Sequence, residues 1–293
     1  MFSEACRKAA GFTHPVIVST HHVGGDVRTE VGTFVVLNDE GWIMTAGHLF
    51  DSFVRFQGDQ RKIAEINEIN DGRRQQEGQP SNEIRLDPEF IEHHSFWWGW
   101  DGTRLSNVYV NRQIDIAVGR LEPFDKSWVA EYPVLRDPAE VVRGTSLCKM
   151  GYPFIEVSSS YSAETRQFSI PRIDREALLF PNDGIHTRTI DAGRSRDGDY
   201  RMRYVETSTP GIKGQSGGPV VDTEGRVHGL QVRTTHFKLG FQPFVQYEGR
   251  NVVENQFMNV GVAVHVSTVR EVLDSRGIRY DADGTDGGYR IDF

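Results

Sequence analysis

Cysteine is scarce in this 293-residue chain, which holds only Cys6 and Cys148. Two cysteines cannot build the disulfide framework that staples small secreted domains, so the fold must rest on its own core. A chain of this length can bury a sizeable one. Basic runs are missing too. The chain sets 33 Lys and Arg against 41 Asp and Glu, a net charge of −8. No cationic cluster stands ready to neutralise phosphates, which excludes nucleic acid as the expected partner. No stretch approaches the ~20 apolar residues of a membrane helix. Met1–Lys8 lacks the apolar centre of a signal peptide. The expectation is a soluble, cytoplasmic protein that makes no membrane contact. Metal-ligand spacings are absent as well. His21-His22 and His93-His94 are adjacent pairs in stretches read as solvated loop, and neighbours on a strand would point to opposite faces. No Cys-x2-Cys or His-x3-His occurs, so neither a metal nor another cofactor is expected.

What is present is a succession of short, β-branched runs punctuated by Gly, Asp and Asn: Pro15–Ser19, Val31–Leu37, Trp42–Thr45, Asn107–Val110, Ile114–Arg120, Thr145–Met150, Pro219–Asp222, Arg226–Val232 and Val260–Val266. Such lengths predict an all-β chain. Asn38–Gly41 and Asp222–Gly225 read as hairpin turns. Helices are expected only at Glu4–Ala10 and after a capping box at Thr268–Glu271, running to Ser275 and closed by Gly277. Asp137-Pro138 divides the chain into halves of about six strands each, which suits two packed barrels with a cleft between them. The expected organisation is an N-terminal segment over 1–13, a first barrel over 14–136 and a second over 137–275 ending in the helix, then a tail over 276–293. Polar, irregular insertions are expected at about 55–102 and 156–203. The first carries Trp97, Trp98 and Trp100, expected to pack it onto the barrel or to meet a partner.

Chemistry is concentrated in Lys213-Gly214-Gln215-Ser216-Gly217-Gly218-Pro219-Val220. A serine in this turn stands free, and the Gly214 and Ser216 N–H groups can aim at a developing oxyanion. The hydroxyl needs a base. His48 offers one at the end of Thr45-Ala46-Gly47-His48, where small residues leave the imidazole open. Asp115, inside the apolar run Ile114–Val118, is costly to bury unless something pairs with it. A histidine ring N–H would do so and would fix the tautomer.

These three segments, in this order, resemble the three signatures of trypsin-like (chymotrypsin-fold) serine proteases over roughly residues 14–275. The resemblance implies two six-stranded antiparallel β-barrels, with His48 and Asp115 from the first and Ser216 from the second, and a protein or peptide substrate. It also implies a pocket floored near Pro210 and walled by Gln231, Val232, Arg233 and Gly261. No carboxylate stands where it would attract Lys or Arg, whereas Gln231 and Arg233 suit a polar or acidic side chain. Secreted trypsins carry Asp immediately before the serine; here that residue is Gln215, so activation by N-terminal zymogen cleavage is not expected. Bacterial high-temperature-requirement proteases are nearer, though no appended PDZ domain is expected after residue 275. Control is expected to come from the insertions or from a regulatory protein partner.

Two alternatives remain at this stage. Gly-x-Ser-x-Gly also opens the elbow of α/β-hydrolase esterases, but that fold needs a helix after the serine, and here Gly217-Gly218-Pro219 leads into a strand. A non-catalytic interaction protein on a protease fold is the other, and it must explain three competent residues.

Overall fold

The computed structural model describes residues 1–77, 83–154, 156–241, 244–247, 249–253 and 256–283. Helix α1 (Ser3–Ala10) leads into β1 (Thr13–His22), β2 (Val27–Val36) and β3 (Trp42–Ala46), followed by helix α2 (Asp51–Glu77), β4 (Ile91–Trp97), β5 (Arg104–Asn111) and β6 (Ile116–Glu122). Six strands form one antiparallel sheet in the order β4-β1-β2-β3-β6-β5, curled into a half-barrel.

The second half contains β7 (Val134–Leu135), β8 (Ser146–Gly151), the short hairpin β9 (Ser160–Ser162) and β10 (Gln167–Ser169), helix α3 (Arg175–Leu178), β11 (Phe180–Arg194) and β12 (Arg201–Thr207). Next come β13 (Pro219–Val221), β14 (Val227–Lys238), a hairpin of β15 (Phe244–Tyr247) and β16 (Arg250–Val253), then β17 (Phe257–His265), helix α4 (Val266–Ser275) and β18 (Asp281–Ala282). Here β13-β8-β11-β12-β17-β14 closes on itself through β13–β14, giving a six-stranded antiparallel ring; β7 and β18 add to it in parallel. Closure removes the free edges that an open sheet must otherwise protect. One continuous core joins the two halves, with Phe34, Ile43 and Met44 in the same buried cluster as Met150, Val220, Leu230 and Val262. The chymotrypsin-like all-β fold is therefore the observed one.

Several local expectations change. The stretch expected to be an irregular insertion at 55–102 contains α2 and a frame strand, β4, which pairs with β1 in register His21↔His93. The helix is fastened by polar contacts that no apolar period announces: Asp59 accepts the Ile91 N–H at 3.1 Å, and Gln60 Nε2 donates to Ile91 O at 3.1 Å. The paired histidines consequently lie on strands, not in solvated loops, and His22 is buried. Trp98 is core, 2% exposed against Phe34 and Phe96, while Trp100 stacks on Trp128. In the expected insertion at 156–203, β11 and β12 are ring strands; β11 buries only His186 and is otherwise exposed or half-buried, which hid it.

The chain crosses to the second half at β7, ahead of Asp137. Helix α4 starts at Val266, capped by His265 Nδ1 accepting from Ser267 N–H at 3.0 Å; Thr268 lies inside it, its hydroxyl donating to Arg201 O at 2.6 Å. Of the expected tail, Asp281–Ala282 pairs with β7, and 284–293 lie outside the described residues. Among the described residues no helix is long and apolar enough to cross a membrane.

Candidate active site

The turn after β3 sets His48. Ala46 pairs with Ile116, and Gly47 then donates its N–H to Asp115 O at 3.1 Å. A Cβ on Gly47 would lie 3.2 Å from Asn111 O and Ile116 O and 3.3 Å from the Asp115 carbonyl carbon, so a glycine lets the two backbones approach. Asp115 is not within a strand, as its apolar neighbours suggested; it precedes β6 with φ +63°, a left-handed conformation that aspartate tolerates better than most residues. This bend turns the carboxylate back onto His48. Oδ2 lies 3.0 Å from His48 Nδ1, and Oδ1 accepts the His48 backbone N–H at 2.8 Å. The pair is open to solvent on one side, the histidine side chain 30% and the aspartate 14% exposed.

Arg112 completes this corner and went unread in the sequence. Its Nη1 donates to Asp115 Oδ1 at 2.6 Å, and its Nε and Nη2 grip Asp51 at 2.6 and 2.7 Å. Asp51 begins α2 three residues after His48, and Arg112 stands three before Asp115. That matched spacing around the two expected residues was the available signal.

The serine turn belongs to the second half but is seated on the first. Thr33 of β2 donates its N–H to Ser216 O at 2.8 Å and its hydroxyl to Gly214 O at 2.6 Å; Thr45 Oγ1 in turn donates to Thr33 O at 2.6 Å. A Cβ on Gly217 (φ +85°) would stand 2.1 Å from Thr33 O and 2.9 Å from Ala46 N, so only glycine permits this seat, two residues before His48. Gly214, at φ +99°, is equally constrained: a Cβ there would meet Tyr152 O at 2.2 Å. Among the described residues neither the Gly214 nor the Ser216 N–H is taken by a backbone acceptor. No hydrogen bond joins Ser216 Oγ to His48; what converges is the Asp115–His48 pair and the backbone of the serine turn.

Gln215 is fully buried and holds the turn from within. Its Oε1 accepts the Ile212 N–H at 3.0 Å, and its Nε2 donates to Phe180 O at 3.3 Å. A neutral amide thus braces the loop without an ion pair.

The residues expected around a pocket differ in burial and in the partners they hold. Pro210 O accepts from Asn182 Nδ2 at 2.7 Å, Val232 is buried, and Gly261 N–H donates to Thr209 O at 2.8 Å. Gln231 is 2% exposed; Arg233 is exposed and lies over the Tyr204 ring, 4.6 Å from its centroid. Apart from this region, His21, Glu92 and His93 bring potential ligand atoms within 4.8 Å of one another beside Tyr161. They touch neither the His48–Asp115 pair nor the serine turn.

The family described as trypsin-like peptidase domain matches residues 32–230. No curated protein matches the chain. Among solved structures, the HtrA-type protease AlgW with a tripeptide is similar at 15% identity and a TM-score of 0.47, over 94% of this chain and 63% of that one. The Rv3671c protease from M. tuberculosis in its active form is similar at 12% identity and a TM-score of 0.48, over 94% of this chain and 86% of that one. The chain therefore spans less than two thirds of the HtrA-type protease.

Proposed function

The chain belongs to the trypsin-like peptidase family, and we propose that it is a serine endopeptidase working through an acyl-enzyme. Ser216 is the nucleophile, His48 the general base, and Asp115 the carboxylate that orients the imidazole. The observation that carries this reading is the 3.0 Å contact of Asp115 with His48 Nδ1, beside a serine turn seated on Thr33 of β2, which pairs with β3, the strand that leads to His48. With Nδ1–H given to Asp115, Nε2 keeps its lone pair and takes the serine proton as the Oγ–carbon bond forms. The Gly214 and Ser216 N–H groups hold the oxyanion that results. Collapse of that intermediate expels the amine, which collects the proton from Nε2. Water then repeats the sequence and frees the acid. Gln215 supports a form that needs no N-terminal cleavage, because the loop that an Asp–N-terminus ion pair would brace is already braced by its amide.

Hydrolysis of a mixed peptide library by the isolated protein tests this. Ser216→Ala should lower kcat by about 10⁶-fold; turnover near that of the wild type would overturn it. One observation favours a second, gated reading: without a Ser216–His48 hydrogen bond, a substrate or a regulatory protein partner must bring Oγ and Nε2 together. Resting geometry in such enzymes is often loose and tightens on binding. Library turnover by the isolated chain would remove the need for a partner.

A further inference from the structure

Lys149 lies on β8, facing into the second ring, with 1% of its surface exposed. Its Nζ donates to three neutral oxygens, Thr207 Oγ1 at 3.1 Å, Thr209 O at 3.1 Å and Thr209 Oγ1 at 2.6 Å. The three N–H donors are spent, but the charge is not: among the described residues no carboxylate comes within ion-pair distance of it. A buried cation without a counter-ion is expensive, and structural cores rarely retain one. Burial accordingly pushes the amine down to about 8, with Cys148 and Asp183 opposing this only in part.

The cage adjoins the serine turn through a continuous series of contacts. Gly217, the residue after Ser216, donates its N–H to Gln231 O at 2.7 Å. The Gln231 amide lies over Gly211, where a Cβ would come within 2.1 Å of Nε2. Gly211 N and Gly261 face each other, and a Cβ on Gly261 would stand 2.6 Å from Thr207 Oγ1 and 2.8 Å from Thr209 O, the oxygens that hold Lys149. Two glycines thus leave no side chain between Gln231 and the lysine cage. Gln231 is itself incompletely satisfied: Nε2 donates to Arg233 O at 2.9 Å, while Oε1 is buried without a partner.

We propose that Lys149 is a specificity-determining residue, supplying the positive charge that selects an acidic side chain, Glu or Asp, on the substrate residue whose carbonyl Ser216 attacks. This rests on the endopeptidase reading. A guest carboxylate brings the missing counter-charge into a site that excludes water, where an ion pair is strongest. A guest carboxamide could satisfy Gln231 Oε1 but would leave the lysine charge unmatched. Lys149 thereby separates Glu from Gln, and Gln231 separates Gln from Leu. Lys149 touches no reacting atom in this scheme.

The test compares kcat/KM on four peptides that differ only in that residue, Glu, Gln, Leu or Lys, for the wild type, Lys149→Met and Lys149→Gln. The wild type should favour Glu over Gln and Leu by at least about tenfold, roughly the discrimination that one charge-assisted contact supports. Both variants should lose that ratio while still cleaving the Leu peptide. A purely structural lysine would lower all four rates together and leave the ratio intact. Binding of N-acetyl tripeptides ending in Glu, Gln or Leu to Ser216→Ala, followed by calorimetry, asks the same question without chemistry. If nothing is cleaved but the Glu tripeptide binds best and loses its advantage in a Ser216→Ala/Lys149→Met double variant, the pocket stands and the endopeptidase reading fails. A wild type that prefers Gln, Leu or Lys, or a Glu preference that survives both lysine variants, overturns the proposal.

Discussion

Two aspartate–histidine pairs of almost the same length sit in different surroundings. Asp115 Oδ2 lies 3.0 Å from His48 Nδ1, and Asp222 Oδ2 lies 2.9 Å from His228 Nε2. Their settings differ. The first pair is partly open, at 30% and 14% side-chain exposure; the second is sealed, the histidine 1% and the aspartate 8% exposed. They also use opposite ring nitrogens. In the first, Nδ1 faces the carboxylate and Nε2 has no partner among the described residues; in the second, Nε2 is taken and Nδ1 is buried without a partner. Asp222 also accepts the backbone N–H groups of Glu224 and Arg226 at 2.9 and 3.0 Å, pinning the hairpin between β13 and β14. Burial raises the Asp222 pKa, but the His228 hydrogen bond and these N–H groups outweigh it, and its net shift is downward. A short Asp–His contact is therefore no mark of a catalytic base. The mark is which nitrogen stays free and whether anything can reach it.

The sharpest way to break this comparison is to remove each imidazole. His48→Ala should cost about 10⁶-fold in kcat on a peptide substrate and leave the urea midpoint nearly unchanged. Asp115→Asn should cost about 10⁴-fold, because an amide at that place favours the wrong tautomer. His228→Ala should behave in the opposite way. Its kcat should stay within a few-fold of wild type, while stability falls by roughly 2 kcal/mol as the buried Asp222 loses its imidazole partner and keeps only the two backbone N–H groups and Arg136 at 3.9 Å. Equal losses of activity from His48→Ala and His228→Ala would erase the distinction.

Acid should destabilise the fold through two other buried imidazoles, His14 and His265. Burial pushes His14 down to about 3 and His265 down to about 4, so the fold holds both neutral. The unfolded chain protonates them from about 6.5 downward. It then binds more protons than the native state, and stability falls as pH drops from about 6.5 toward 4, by up to roughly 2 kcal/mol per sealed ring at pH 5. Urea midpoints at pH 7.5 and 5 report this; equal midpoints would contradict it. The smallest effect belongs to Arg112→Ala. It removes the brace between Asp51 and Asp115 at a site 43% exposed, where ion pairs contribute little. A kcat loss below about tenfold is expected, and a loss as large as that of Asp115→Asn would make Arg112 as important as the carboxylate.

The segments bearing Ser216, His48 and Asp115 were legible because each is local: a Gly-rich turn, a small-residue corner, and an acid among apolar neighbours. The ring was legible from β8, β13, β14 and β17, whose runs are buried and rich in β-branched or other apolar residues. Helix α2 and β4 were not, since their union depends on Asp59 and Gln60 meeting the Ile91 backbone 32 and 31 residues away. The left-handed turn at Asp115 could not be read either, because it is imposed by the approach of Gly47. Lys149 is a different case. A charge inside Leu147-Cys148-Lys149-Met150 raises the same question as Asp115 in its own apolar run, and the structure answers it with oxygens and no carboxylate.

The central claim is that Ser216 is activated through His48 and that His228 has no part in it. Mass spectrometry of the protein after a serine-directed fluorophosphonate measures this most directly. The account predicts an adduct on Ser216 in the wild type and in His228→Ala, and a labelling rate at least about 10³-fold lower in His48→Ala. Equal labelling with and without His48, or an adduct on another residue, would contradict it.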